Sequence, residues 1–198
     1  KAGLIETVGS GEPRIDFSND ANGALLLEPT RSNLITYSEA FDNAVWNIKS
    51  NINLQGGILS PKGDFNAYKI TAINGGNSYF SGFLNQSNGK YKSIWARTVS
   101  GTGKVNLLNV RSEGSTDGLF NLTEEWSRFD ILHDGVDLFY LVDFRNSLSD
   151  LNEILIYGAQ LEVGSYATSY IPNFGNSAGA TRSADASSQT VPSGIIGQ

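Results

Sequence analysis

The sequence predicts an all-β fold, a sandwich or a barrel, on three observations. About eight or nine short segments rich in β-branched and aromatic residues recur at roughly 8–12-residue spacing, with Gly, Asn, Ser or Pro between them. No segment keeps a 3.6-residue period. A strongly apolar run at residues 154–161 predicts a strand with neighbours on both sides and a covered face. We expect this strand to close the sandwich. Leu161 should then be deeply buried, and Glu162 should lie near residues 25–33, where the chain enters the sandwich.

The composition excludes several classes of function. The chain of 198 residues has a net charge of −6 and a pI near 4.7, whereas nucleic acids and anionic membranes are bound by basic faces. It contains no cysteine, so disulfides, thiolate nucleophiles and zinc fingers are excluded. No run approaches the ~20 apolar residues that span a bilayer, and no signal-peptide pattern is present.

The distribution of turn residues predicts one domain with an arm at each end. Residues 1–24 are expected to form an N-terminal arm, 25–172 the sandwich, and 173–198 a linker toward a further domain. Leu25, Leu26 and Leu27 should be buried, although Pro29 keeps them out of a central strand. Ser38 could cap a single helical turn.

Residues for catalysis are few, and the sequence does not predict an enzyme. The one histidine, His133, lies in a turn, and the Gly-x-Ser-x-Gly motif of a nucleophilic serine is absent. Nearby carboxylates could serve as glycosidase acids or bind calcium, but their spacing matches neither pattern and favours a solvated loop. These carboxylates are Asp130, Asp134, Asp137 and Asp143.

Aromatic and polar residues on two predicted strands suggest a binding surface. If Ile94 and Ala96, and likewise Leu108 and Val110, face the core, then strand alternation places four other residues on a second surface. These are Trp95, Arg97, Asn109 and Arg111, with Tyr157 as a further candidate. A flat aromatic ring can stack on the C–H face of a sugar while planar polar groups bind vicinal hydroxyls. The alternative is that Trp95 is a core residue along which Arg97 extends. Trp46 and Trp126 are expected in the core or at strand edges.

Several stretches resemble one family of modules. Residues 25–46 (LLLEPTRSNLITYSEAFDNAVW) look like the entry segment of jelly-roll, carbohydrate-binding-module-like domains of bacteriophage tail and tail-fibre proteins. Residues 158–172 (GAQLEVGSYATSYIP) and 180–185 (ATRSAD) look like their exit segment. Residues 89–97 (GKYKSIWAR) and 123–129 (TEEWSRF) resemble interior strands of such modules.

The resemblance implies a jelly-roll β-sandwich of two antiparallel sheets on a phage virion, which binds host cell-surface polysaccharide. The alternatives are a structural spacer or oligomerisation module that packs, for instance as a trimer, on other fibre subunits, and an accessory domain of a polysaccharide-degrading enzyme. Related modules often hold a structural calcium near the entry strand. Asp42 matches the usual acidic position, but Tyr157 and Gly158 stand where a second carboxylate is expected, so no metal ligand is assigned.

Overall fold

The computed structural model describes residues 5, 8–9, 12–17, 21–73, 77–83, 91–109, 116–132 and 138–186. Within these ranges the protein is all-β and no helix is present. Four residues that the sequence analysis considered for catalysis or ligand binding lie outside the described residues: His133, Asp134, Asp137 and Arg111. No helix in the described part of the chain is suited to crossing a membrane.

Fourteen strands are described. In chain order they are β1 (Ile15–Asp16), β2 (Ala24–Leu25), β3 (Arg31–Asn33), β4 (Ile48–Ser50), β5 (Ile52–Ile58), β6 (Ala67–Ala72), β7 (Tyr79–Phe83), β8 (Tyr91–Thr98), β9 (Gly103–Asn109), β10 (Leu119–Leu122), β11 (Ser127–Leu132), β12 (Leu138–Asp143), β13 (Glu153–Glu162) and β14 (Ala180–Arg182).

Ten of these strands form two five-stranded antiparallel sheets. Sheet I has the order β10-β9-β12-β7-β4, and sheet II has the order β11-β8-β13-β6-β5. If the eight strands from β6 to β13 are renumbered 1 to 8, sheet II reads 6-3-8-1 and sheet I reads 5-4-7-2. That is the strand order of a jelly roll, in which the chain repeatedly crosses from one sheet to the other. The predicted jelly-roll β-sandwich is therefore confirmed.

The core lies between the two sheets and is built by strand alternation. Ile94 and Ala96 of β8 are fully buried there, as predicted, together with Ile154 and Ile156 of β13. Sheet I contributes residues of β7, β9 and β12, and Trp46 closes one side of the core beside Phe41 and Phe80. The prediction that Trp46 is a core residue is confirmed, since only 1% of it is exposed.

Strand β13 is the closing strand that the apolar run predicts. It lies between β8 and β6 in the middle of sheet II, and nine of its ten residues are buried. Leu161 is 2% exposed, and its backbone bonds the entry segment: its carbonyl accepts the Leu34 N–H at 2.9 Å and its N–H reaches Asn33 Oδ1 at 3.2 Å. Glu162 follows directly, and its carboxylate accepts the Thr168 N–H and hydroxyl.

Three expectations about the ends of the sandwich are wrong. Leu25 and Leu27 are 52% and 54% exposed, because they belong to the β1–β2 hairpin, whose apolar face points to solvent. Ser38 caps no helix, because its hydroxyl bonds Asn173 and Tyr170 instead.

The third expectation concerns residues beyond 172. Strand β14 pairs with β3, and the Asp185 N–H donates to the Glu28 carbonyl at 2.9 Å. The described residues 173–186 therefore pack on the entry segment instead of leaving the sandwich as a linker.

Candidate functional site

The outward residues of β8 place Trp95 and Arg97 on the outer face of sheet II. Ile94 and Ala96 point into the core, so alternation sends their neighbours in sequence to the opposite face. Trp95 is only half-buried. It packs against a second apolar cluster, separate from the main core and here called the outer-face cluster: Ala67, Trp126, Leu155 and Tyr157.

Arg97 lies across this cluster with its charge at the surface. Its Cα pairs with that of Leu155 on β13, and its guanidinium carbon lies 5.4 Å from the centroid of the Trp126 ring. Its Nη1 donates to the Glu124 carbonyl oxygen at 3.0 Å. The outward position that alternation predicts for Trp95 and Arg97 is therefore confirmed. Trp95 is an anchor of a local cluster, not of the main core, and the arginine extends over an aromatic face as a cation–π pair.

Two nitrogen donors on this surface have no acceptor. Trp95 Nε1 and Arg97 Nε are shielded from water, and neither makes a hydrogen bond in the described part of the protein. An unsatisfied buried donor costs about 1–3 kcal/mol. Native structures contain few such groups, and each one calls for an explanation such as a ligand or an ordered water.

Asn109 is not brought to this surface. After Thr98 the chain crosses to the other side of the sandwich, so β9 belongs to sheet I, where Asn109 is the Cα partner of Tyr140. The prediction of one shared face assumed that β8 and β9 are neighbours in one sheet. It also assumed strict alternation, which fails at Leu108: its φ is 60°, and both Leu107 and Leu108 are buried.

Tyr157 is next to Trp95 but is not at the surface. The two are Cα partners, yet Tyr157 is 0% exposed. Its hydroxyl donates to Glu39 Oε1 at 2.8 Å, and burial together with this carboxylate raises its pKa. Tyr170 covers it from outside, with ring centroids 5.7 Å apart. Tyr157 thus presents no surface to a ligand in this structure, contrary to its choice as a site residue.

The sheet register adds residues that the sequence did not single out. One row across sheet II runs from Trp126 through Arg97 and Leu155 to Lys69 and Gln55. The ammonium of Lys69 lies 2.6 Å from Glu153 Oε2. The strand spacing of about 4.8 Å makes this row about 19 Å long. Only knowledge of strand order could have found it, because its members come from four distant segments and one adjoining loop.

The acidic residues do not form a catalytic or metal site in the described structure. Asp130 lies on β11 in sheet II, whereas Asp143 lies on β12 in sheet I and is held by Arg145, with Nε and Nη2 at 2.8 and 2.7 Å from its oxygens. Across the described ranges, no three acidic or histidine side chains are grouped.

Near the calcium position that the resemblance implies, the carboxylates of Asp42 and Glu39 bond tyrosine hydroxyls. Asp42 Oδ1 accepts the Tyr68 hydroxyl at 2.8 Å, and burial with this carboxylate raises the pKa of Tyr68 to about 12. At the position where the resemblance leads one to expect a second carboxylate, the Tyr157 hydroxyl donates to Glu39 Oε1. One oxygen of each of these two carboxylates therefore accepts a tyrosine hydroxyl.

Comparison with known proteins gives matches to solved structures only. No family model and no curated sequence matches the chain. A family 29 carbohydrate-binding module variant matches with 14% identity and a TM-score of 0.44 over 71% of this chain and 95% of its own. A family 29 module from Piromyces equi matches with 18% identity, a TM-score of 0.35, and 64% and 92% coverage. A family 4 module matches with 15% identity, a TM-score of 0.30, and 76% and 95% coverage. Similarity at this level assigns no ligand to this chain.

Proposed function

We propose that this chain is a non-catalytic glycan-binding module, and that it serves a phage tail or tail-fibre protein in attachment to host cell-surface polysaccharide. The observation that carries the proposal is the outer face of sheet II. There a half-buried Trp95 and a nearly buried Trp126 form an apolar floor, and the Arg97 guanidinium lies over it. The virion location rests on the sequence resemblance of the entry and exit segments.

This arrangement suits a sugar on physical grounds. A pyranose ring has an apolar C–H face, which packs on flat aromatic surface, and a polar rim, which takes hydrogen bonds. The row from Trp126 to Gln55 has this character, since Leu155 and the tryptophans are apolar while Arg97, Lys69 and Gln55 are polar. Its length of about 19 Å accommodates a short oligosaccharide. Of the original five residues, the proposal keeps Trp95 and Arg97 and leaves out Asn109 and Tyr157, while Arg111 lies outside the described residues. The row supplies the other partners.

Binding of an oligosaccharide from host-type surface polysaccharide, measured by calorimetric titration, tests the proposal. We expect Trp95→Ala to weaken binding about tenfold, because a lost aromatic contact costs about 0.5–1.5 kcal/mol beyond its area. Trp95→Phe should retain part of the affinity. The matched control is Phe174→Ala, which removes an aromatic side chain that is 69% exposed on the exit segment. Unchanged affinity in Trp95→Ala, with an unchanged circular dichroism spectrum, would exclude this surface.

A structural role is the second candidate, and the β1–β2 hairpin favours it. Four apolar side chains of this region, Ile15, Phe17, Leu25 and Leu27, are 44–60% exposed. A two-stranded hairpin is marginally stable alone, and an apolar face of this kind is typical of a contact surface. Light scattering after size exclusion separates the candidates. A stable oligomer that Phe17→Ser dissociates, with no response to any glycan, would replace the binding proposal by a spacer or oligomerisation module.

A further inference from the structure

Strand β5 forms an open edge of sheet II. It pairs with β6 on one side, and within the described part of the chain its residues make no backbone hydrogen bond on the other side. Soluble proteins usually protect such edges with short strands, charged side chains, proline or bulges, because a free row of N–H and C=O groups pairs readily with another strand.

The other edge strands of the two sheets are better protected than β5. β4 has three residues and contains Lys49, β10 has four residues, and β11 contains Arg128 and Asp130. β5 has seven residues, none of them charged or proline. Its one irregularity is the register shift between Gln55 and Ile58, so the first half of the strand keeps a regular edge.

The side chains of this first half are complementary to a second copy of themselves. Ile52 and Leu54 are half-buried against the main core, whereas Asn53 and Gln55 are exposed. Opposite residues of an antiparallel pair share a face. A two-fold axis at Leu54 therefore keeps both leucines on the core side and sets each Asn53 opposite the partner's Gln55. These amide side chains both donate and accept hydrogen bonds, and no like charges meet.

We infer that β5 pairs with β5 of a second copy, antiparallel about a two-fold axis at Leu54, so that sheet II continues through the dimer as one ten-stranded sheet. Such an axis is perpendicular to the sheet, so the two outer faces lie on the same side. The row that ends at Gln55 then meets the row of the second copy, and together they extend over about 43 Å. The dimer is independent of the proposed glycan binding, whereas the use of the joined rows rests on it.

Sedimentation velocity of the whole chain without any glycan tests the dimer. Pairing along one edge buries little surface, so we expect a weak dimer, absent at about 1 μM and predominant at about 500 μM. Combining Asn53→Asp with Gln55→Glu keeps the shape of both side chains but sets carboxylates opposite each other. This double variant should weaken the dimer at least about tenfold, since like charges directly opposite on paired strands are destabilising.

The matched control combines Asn47→Asp with Asn121→Asp. It makes the same change in net charge at two exposed residues at the edges of sheet I, and it should change the dimer affinity less than twofold. A chain that stays monomeric at about 500 μM, or equal weakening in the two double variants, would overturn the inference.

Disulfide cross-linking tests the register, because the chain has no cysteine of its own. Opposite Cα atoms of an antiparallel pair lie about 4.5–5.5 Å apart, which a disulfide spans. A mixture of the Asn53→Cys and Gln55→Cys variants should therefore cross-link under oxidation. Either variant alone places its two cysteines about 8 Å apart and should not. Cross-linking that is no greater in the mixture than in the separate variants would contradict this pairing.

The outcomes separate the dimer from the proposed function. If the dimer forms and no glycan binds, the interface stands and the proposed function is wrong. If a glycan binds through Trp95 and the chain stays monomeric, the function stands and this inference is wrong. If both stand, a polysaccharide that spans both rows should bind the dimer at least about tenfold more tightly than an oligosaccharide that spans one row. Equal affinities would show that the two rows do not act together.

Discussion

Gly158 permits the close packing behind the proposed binding surface. Its φ is +62°, in the left-handed region that residues with a side chain adopt at a cost of about 1–2 kcal/mol. The pairing of β13 with β8 shifts register between Tyr157 and Gln160 at this point. A Cβ added here would lie 3.1 Å from the ring of Tyr170, which is the ring that covers Tyr157.

Alanine at this position should therefore be destabilising for two reasons. We expect Gly158→Ala to lower the free energy of unfolding by about 2–3 kcal/mol, from backbone strain and from displacement of Tyr170. Gly101→Ala is the control: its φ is +65° but no atom lies within 4 Å of the added carbon, so only about 1 kcal/mol should be lost. Urea denaturation of both variants measures the difference. An equal loss of unfolding free energy in the two variants would show that the added methyl group at residue 158 does not clash with Tyr170.

A second residue-scale prediction concerns Lys92, a lysine that is 1% exposed on β8. Burial lowers its pKa from 10.5 to about 8. Between these values the unfolded chain binds the lysine proton and the folded protein does not, so stability should rise with pH across this window, by up to about 3 kcal/mol. Above about pH 10, Tyr157 and Tyr170 should lower the stability again. Their pKa values are raised in the folded protein, so they stay protonated there while tyrosines of the unfolded chain lose their protons.

Urea midpoints between pH 7 and pH 11 would measure this dependence. We expect a maximum near pH 10, and we expect Lys92→Met to remove the rise between pH 8 and pH 10 while leaving the fall above it. A rise of the same size in Lys92→Met would assign the effect to other groups.

At the scale of elements, short strands at the ends of the sandwich are held by a polar clasp around Glu28. Its carboxylate accepts the Ser169 N–H at 2.6 Å and Nη1 of Arg182 at 2.9 Å, and Arg14 bridges it to Asp185. Strands β3 and β14 have three residues each, too few to remain paired on their own. The clasp therefore fixes the course of the exit segment.

Acid should loosen this clasp. Burial by itself would raise the pKa of Glu28, but the bonds from Ser169, Arg14 and Arg182 hold it below 4.5. Its contribution to stability is then complete above the unfolded pKa and is lost as pH falls through the lower folded value. We expect Glu28→Gln to lower the urea midpoint at pH 6 and to make the loss between pH 6 and pH 3 smaller than in the wild type.

Proteolysis would show where the clasp acts. Trypsin should cut Glu28→Gln after Arg182 several times faster than the wild type at neutral pH, since the carboxylate that holds this arginine is gone. Glu153→Gln, which breaks the ion pair with Lys69 on sheet II, is the control and should not change this cleavage. Accelerated cleavage in both variants would indicate general destabilisation.

For the whole molecule, the jelly-roll order makes both sheets depend on one core. Apart from the β5–β6 and β9–β10 pairs, strands from β4 to β13 that follow each other in the chain lie in opposite sheets, and both sheets contribute to the core between them. We expect a single unfolding transition in urea, with tryptophan fluorescence and far-ultraviolet circular dichroism coinciding. Trp46 reports the core and Trp126 the outer-face cluster. Two separated transitions would show that the outer face opens before the core does.

Local patterns in the sequence determined the class of fold and two residues of the candidate site, Trp95 and Arg97. Alternation on β8 predicted the inward Ile94 and Ala96 and the outward Trp95 and Arg97, because a strand's period depends only on its own backbone. The apolar run of β13 predicted its central position, because only a strand covered on both faces tolerates such composition.

The tertiary structure alone decided the rest. Pairing across the chain placed β9 in the opposite sheet from β8, so Asn109 left the predicted site. The exit segment folded back over Tyr157 and buried it. Strand order brought Lys69 and Gln55 into line with Arg97. Each of these depends on contacts between segments far apart in sequence, which no local period encodes.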